Sequence, residues 1–155
     1  MSVGKEEIEG RVERFKTAAR RAGVRLTPQR LEIFREVASS REHPDAETVH
    51  RAVERRMPTV SLDTVYRTLW MLRDLGLVTT LGPRHESVRF DANLGHHHHF
   101  VCIRCGSARD FECAELDGLP IPGAVKGWGS VVGTNVEIRG VCSGCERKRA
   151  GIPAE

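Results

Sequence analysis

The sequence predicts an α+β chain, a winged helix-turn-helix followed by a small α/β domain, and three observations predict it. Apolar residues recur at helical spacing through roughly the first seventy-five positions. Two short β-prone runs, Leu77 to Leu81 and Ser87 to Phe90, then flank a Gly82-Pro83 turn. From Asp91 onward the apolar residues become β-branched and gather in short runs, while Gly and Pro crowd residues 118 to 133.

A basic amphipathic segment from Lys5 to Ala22 stops at Gly23, a residue suited to the left-handed turn that closes a helix. Thr27 then suits an N-cap and Pro28 the first helical position. Leu31, Phe34, Val37 and Ala38 follow as one apolar stripe. Pro44 breaks the chain, Asp45 caps a third helix lined by Val49, Ala52 and Val53, and Pro58 is expected to end it. Ser61 caps a fourth, from Leu62 to Leu75, closed by Gly76. Its apolar positions Leu62, Val65, Leu69 and Leu72 leave Asp63, Thr64, Tyr66, Arg67 and Trp70 for other faces. The last three helices and the hairpin make a winged helix-turn-helix. Outward Thr64, Tyr66 and Arg67 suit a recognition helix, because hydroxyls and guanidinium groups reach bases and phosphates. In the second part, Phe100 to Ile103, Val131-Val132 and Val136 to Arg139 are expected strands.

Composition narrows the function. A chain of 155 residues with 39% hydrophobic and 29% charged side chains is ordinary for a soluble globular protein. No apolar stretch approaches the roughly 20 residues that cross a bilayer, and Met1 to Glu7 lacks the apolar run of a secretory signal. A cytoplasmic protein without a membrane partner is therefore expected. The net charge of +3 lies entirely in residues 1 to 91, because the remainder is balanced. Between residues 11 and 35, eight basic side chains face two acidic ones, which favours an anionic polymer as partner.

Cys102-Ile103-Arg104-Cys105 and Cys142-Ser143-Gly144-Cys145 are two knuckles separated by 36 residues. Each can aim two sulfurs at one point, and together Cys102, Cys105, Cys142 and Cys145 complete a closed four-thiolate site for structural Zn2+. Such a site could supply on the order of 10 kcal/mol or more of folding free energy. Disulfides are the alternative, disfavoured in a reducing compartment. So is a redox dithiol, for which neither knuckle is expected to open a helix that depresses a thiol pKa. Cys113 is left over as a buried free thiol.

His96-His97-His98-His99 precedes the first knuckle. On a strand His97 and His99 share one face and His96 and His98 the other. Two imidazoles at alternate positions make half of a transition-metal site, and Asp91 and Asp110 are the nearby carboxylates. That N/O set suits Fe2+ or Mn2+ and would also take Zn2+.

These residues resemble the ferric uptake regulator superfamily of metal-dependent repressors. The resemblance rests on Leu26-Thr27-Pro28-Gln29-Arg30, His43-Pro44, the helix Thr64-Val65-Tyr66-Arg67-Thr68-Leu69, Arg89-Phe90-Asp91, the histidine run and both knuckles. They stand in family order over nearly the whole chain. The resemblance implies a homodimer whose winged helices bind a palindromic double-stranded DNA operator. It implies a DNA-binding domain over residues 1–90, a hinge over 91–95 and a dimerisation and metal-binding domain over 96–148, leaving 149–155 as a disordered tail. A regulatory Fe2+ or Mn2+ would be held between the domains by His43, Asp91, His97, His99 and Asp110. DNA contacts would come from Arg25, Thr27, Gln29, Arg30, Ser61, Thr64, Tyr66 and Arg67, with Arg25 in the minor groove.

Aspartate at both 91 and 110 is most similar to the peroxide-sensing branch of the family. There, bound Fe2+ reacts with hydrogen peroxide, and His43 or His97 would be the ligand oxidised. An iron- or zinc-responsive repressor is the near alternative. Some members carry a further site built on the alternate histidines and a later histidine. Here His96 and His98 are present but no histidine follows His99. An enzyme is not expected: there is no HExxH and no GxSxG, and the two knuckles are better used together on one metal. A zinc-stabilised module without DNA binding would leave Arg25, Tyr66 and Arg67 unexplained.

Overall fold

A computed structural model of the chain describes residues 3–82 and 88–150, which fall into two compact units, Met1–Leu94 and Gly95–Glu155. The expected Gly82-Pro83 turn and the start of the second hairpin strand at Ser87 lie partly outside the described residues.

The first unit is four helices and a hairpin: α1 (Lys5–Arg21), α2 (Pro28–Ser39), α3 (Ala46–Glu54), α4 (Leu62–Asp74), β1 (Thr79–Leu81) and β2 (Arg89–Asp91). Local chemistry sets the helix starts. Thr27, Asp45 and Ser61 each accept a hydrogen bond from the backbone N–H three residues on, at 3.3, 2.8 and 3.2 Å. Gly23 and Gly76 end α1 and α4 with φ of 67° and 70°, where a side chain would be strained. The third helix stops at Glu54, earlier than Pro58 would require. Arg56 instead leaves the helix to bond Glu32 and Glu36 on α2.

One apolar core joins these elements. Phe15 and Phe34 meet with ring centroids 5.0 Å apart, and Val12, Ile33, Val49, Val53, Val65, Leu69, Leu72 and Phe90 are buried around them. β1 and β2 pair antiparallel with Thr79 opposite Asp91, so the wing's register places Asp91 at the end of the ladder. Replacing Ser61 with alanine removes the α4 cap and is expected to cost about 1 kcal/mol. Urea denaturation of the first unit's transition measures it, and an unchanged midpoint would contradict the role.

The second unit contains β3 (His98–Cys102), β4 (Ala108–Phe111), α5 (Ala114–Asp117), α6 (Gly123–Trp128), β5 (Glu137–Gly140) and α7 (Ser143–Ala150). The sheet order is β4-β3-β5, antiparallel between β3 and β4 and parallel between β3 and β5. Val131 and Val132 form no strand: Val132 is fully exposed, and β-propensity without a packing partner does not make one. The final helix runs to Ala150, into the segment 149–155 expected to be disordered, and residues 151–155 lie outside the described residues. Among the described residues this unit buries few apolar side chains, chiefly Val101, Cys102 and Ala108. Trp128, Val132 and Ile103 stay open to solvent.

Candidate metal centres

The two knuckles converge. β3 delivers Cys102 at its end, a tight turn carries Cys105, and Cys142 and Cys145 lie at the start of α7. One sulfur from each lies within 4.8 Å of the others, with Cys105 Sγ 3.8 Å from Cys142 Sγ. A Zn–S bond of about 2.3 Å gives a tetrahedron with an edge of about 3.8 Å, so the donor set fits zinc in number, chemistry and spacing. Contrary to expectation, the second knuckle does open a helix, since the N–H groups of Cys145 and Glu146 both bond the Cys142 carbonyl.

Backbone N–H groups also reach the sulfurs. Cys142 N–H donates to Cys102 Sγ at 3.3 Å. The N–H groups of Cys105 and then Cys142 lower the Cys102 thiol to about 6. Bonds from Cys142 and then Cys105 push the Cys145 thiol up to about 12. Backbone N–H groups thus favour the thiolate at Cys102 while the neighbouring sulfurs penalise one at Cys145, an imbalance that a divalent cation relieves. Cys113 stands apart, half-buried rather than buried, its thiol donating to Glu115 Oε2 at 3.2 Å.

The histidines and aspartates expected at the regulatory metal divide between the two units. In the first unit, His43 Nδ1 lies 3.4 Å from Asp91 Oδ1, and both side chains are buried. The wing positions them: Arg89 donates to the His43 carbonyl at 3.1 Å, and Phe90 N–H bonds the Pro44 carbonyl at 3.0 Å. His43 holds φ at 47°, a left-handed conformation that non-glycine residues adopt seldom and that tends to mark functional positions. Nothing in the sequence before Pro44 announces it. In the second unit, β3 pairs with β4 so that His99 stands opposite Asp110. Asp110 Oδ1 lies 3.5 Å from His97 Nε2 and 3.4 Å from His99 Nε2. The two imidazoles stack edge to face with centroids 4.6 Å apart. Two imidazole nitrogens and a carboxylate on one face are a mixed N/O donor set suited to a divalent transition metal.

The residues expected at DNA distribute unevenly. Tyr66 and Arg67 are exposed on α4, with Arg67 held 3.0 Å from Asp63 one turn back. Arg25 is exposed before α2, and Arg30 donates to its carbonyl. Thr27 and Ser61 spend their hydroxyls on helix caps, Ser61 also meeting Thr64 Oγ1 at 2.9 Å, and Gln29 is half-buried. Sequence reasoning set Trp70 on an outer face of α4 but gave it no part at DNA; there Phe90 meets it edge-on at 5.8 Å and the Arg73 guanidinium lies over its ring. Sequence reasoning missed Asp117 and Val136 as partners of His98. Among the described residues no helix is long and apolar enough to cross a membrane.

Comparison with known proteins places this geometry. A model of the ferric uptake regulator family matches residues 21–126. The peroxide-responsive repressor PerR of Staphylococcus aureus is 36% identical over 148 residues, spanning 96% of this chain and 100% of that protein. The Helicobacter pylori ferric uptake regulator Fur, described as having three functional metal binding sites, superposes with a TM-score of 0.73 at 22% identity. That match covers 90% of this chain and 93% of that one, and at such identity it speaks for the fold alone. The Vibrio cholerae ferric uptake regulator matches with a TM-score of 0.68 at 25% identity, covering 83% of this chain and 99% of its own.

Proposed function

The chain belongs to the ferric uptake regulator family, and we propose that within it this protein is a dimeric, metal-dependent repressor of operator DNA that senses hydrogen peroxide. Family members are metal-responsive transcriptional regulators rather than enzymes. The observation that carries the peroxide reading is the aspartate at both 91 and 110, in a chain similar over 96% of its length to a peroxide-responsive repressor.

Each unit by itself offers an incomplete donor set, His43 with Asp91 in one and His97 and His99 with Asp110 in the other. We assign all five to one regulatory ion. Three imidazoles and two carboxylates fit Fe2+ or Mn2+. Donors drawn from both units bias the chain toward whatever geometry lets all five bind, and only by the difference in ion affinity between geometries. The exposed Tyr66 and Arg67 of α4 would then read the major groove, with Arg25, Arg30 and Gln29 on the flanking backbone and minor groove, and Thr27, Ser61 and Thr64 contributing from the helix starts. Dimerisation falls to residues 96–148, within the second unit, joined to the first through a hinge at 91–95, and the two copies suit a palindromic operator. A DNA-binding repressor of this kind works in the cytoplasm.

Held by these five residues, Fe2+ would supply the redox chemistry that activates peroxide; overall, one peroxide oxygen would pass to the ring of His43 or His97 and the other would leave as water. Both imidazoles are buried beside a carboxylate, His43 by Asp91 and His97 by Asp110. Mn2+ supports DNA binding without this reaction.

The test is anaerobic. With the chain loaded with Fe2+ or Mn2+ and given a small excess of peroxide, operator binding and intact mass are followed together. The iron form should lose DNA and gain the mass of one oxygen on a peptide containing His43 or His97, while the manganese form changes in neither respect. An iron form that keeps its mass and its DNA affinity makes the protein an iron- or zinc-responsive repressor instead, which the same donor set would serve.

A further inference from the structure

The other two histidines of the run turn to a different carboxylate. His96 Nδ1 lies 3.1 Å and His98 Nε2 2.9 Å from the same atom, Asp117 Oδ1 on α5. Three donors within 4.8 Å of one another have the look of another N/O metal set. The second nitrogen of His98 decides otherwise. Val136 N–H points at His98 Nδ1 from 3.1 Å. A backbone N–H can only donate, so Nδ1 must be the unprotonated nitrogen, and the ring proton resides on Nε2. Turning the ring over would set carbon atoms against both partners, so the hydrogen-bond network fixes the orientation. The atom that would face a metal is therefore the one whose electron pair is already committed to a proton. Histidines that bind metals do the reverse: they coordinate through one nitrogen and donate the N–H of the other to an acceptor.

We propose that His98 is a latch and not a ligand. Its Nε2–H donates to Asp117, its Nδ1 receives Val136, and the pair of bonds ties α5 and the approach to β5 onto β3 without any ion. The burial agrees with a structural role, since His98 is 1% exposed and its ring centroid lies 5.4 Å from that of Phe111. Val136 completes the clip, because its carbonyl accepts the His99 N–H at 3.0 Å while its N–H goes to His98. Those two bonds set the entry to the parallel pairing that begins at His99 and Glu137. The four consecutive histidines thus divide by face: His97 and His99 toward Asp110, His98 toward the fold. This reading stands whether or not the regulatory centre is assigned correctly.

The test uses the full chain with ¹⁵N-labelled histidine. In a long-range proton–nitrogen spectrum, His98 should show a protonated Nε2 and a bare Nδ1, unchanged as Zn2+ is added in excess. Asp117→Asn keeps a carbonyl acceptor for Nε2–H and should leave the zinc content equal to that of the parent chain. His96→Ala, which touches neither bond of the latch, should do the same and serves if the Asp117 variant fails to fold. Loss of the Nε2 proton on zinc addition, or loss of one zinc equivalent in either variant, would overturn the proposal.

Discussion

Replacing Cys142 with serine is expected to unfold the second unit while the first stays folded. The second unit is about sixty residues long, a size at which an apolar core alone gives marginal stability. Here the core is thinner still, because its buried apolar side chains are chiefly Val101, Cys102 and Ala108 and three of its other buried groups are His97, His98 and His99. A four-thiolate zinc contributes on the order of 10 kcal/mol or more, which exceeds anything those contacts supply. Serine offers no thiolate, so the tetrahedron loses a corner and the unit its chief stabiliser. Amide exchange should show β3, β4 and β5 losing protection while α2, α3 and α4 keep theirs. Acid should act in the same direction. Cys102, lowered to about 6 by the N–H groups of Cys105 and Cys142, is a thiolate at neutral pH. As pH falls through about 6 it takes a proton, and zinc must then displace one more to stay bound. Full zinc content and full protection of β3 to β5 in the Cys142 variant would sink the argument.

What the sequence made legible is what is encoded locally. The caps at Thr27, Asp45 and Ser61 act across three residues, and the stripes of α2 and α4 repeat within one turn. The alternation of His97 and His99 against His96 and His98 follows from strand geometry, and the structure keeps it, with both like-facing pairs in ring contact. Pairings that depend on distant segments were not legible. His98 is bonded to residues 19 and 38 positions away, and no pattern around Asp117 or Val136 marks them as its partners. The left-handed backbone of His43 is likewise imposed from the wing, where Arg89 and Phe90 seize the carbonyls of His43 and Pro44. The strand expected at Val131-Val132 failed because propensity is realised only against a neighbouring surface, and among the described residues Val132 stays fully exposed.

His43→Asn and Asp110→Asn should each abolish the gain in operator affinity that Mn2+ confers, without lowering the metal-free affinity. Asparagine is the informative choice at 43. The position sits at φ 47°, where asparagine is at ease and alanine is strained, so the backbone and its Arg89 contact survive while the imidazole is lost. Coupling between two ligands of one protein is typically about 5- to 150-fold, and that whole factor should vanish. The salt dependence of the residual binding should not change, because the phosphate contacts are untouched. Arg67→Ala supplies the contrast. It should weaken binding with and without Mn2+ and reduce the salt slope by about one, even though Asp63 already holds the guanidinium in the free chain. Linkage adds a second reading of the same quantity, since operator DNA must raise Mn2+ affinity by the factor that Mn2+ raises operator affinity. A His43→Asn chain that still responds fully to Mn2+ would remove His43 from the regulatory ion. With it would go the claim that donors from the two units share one metal.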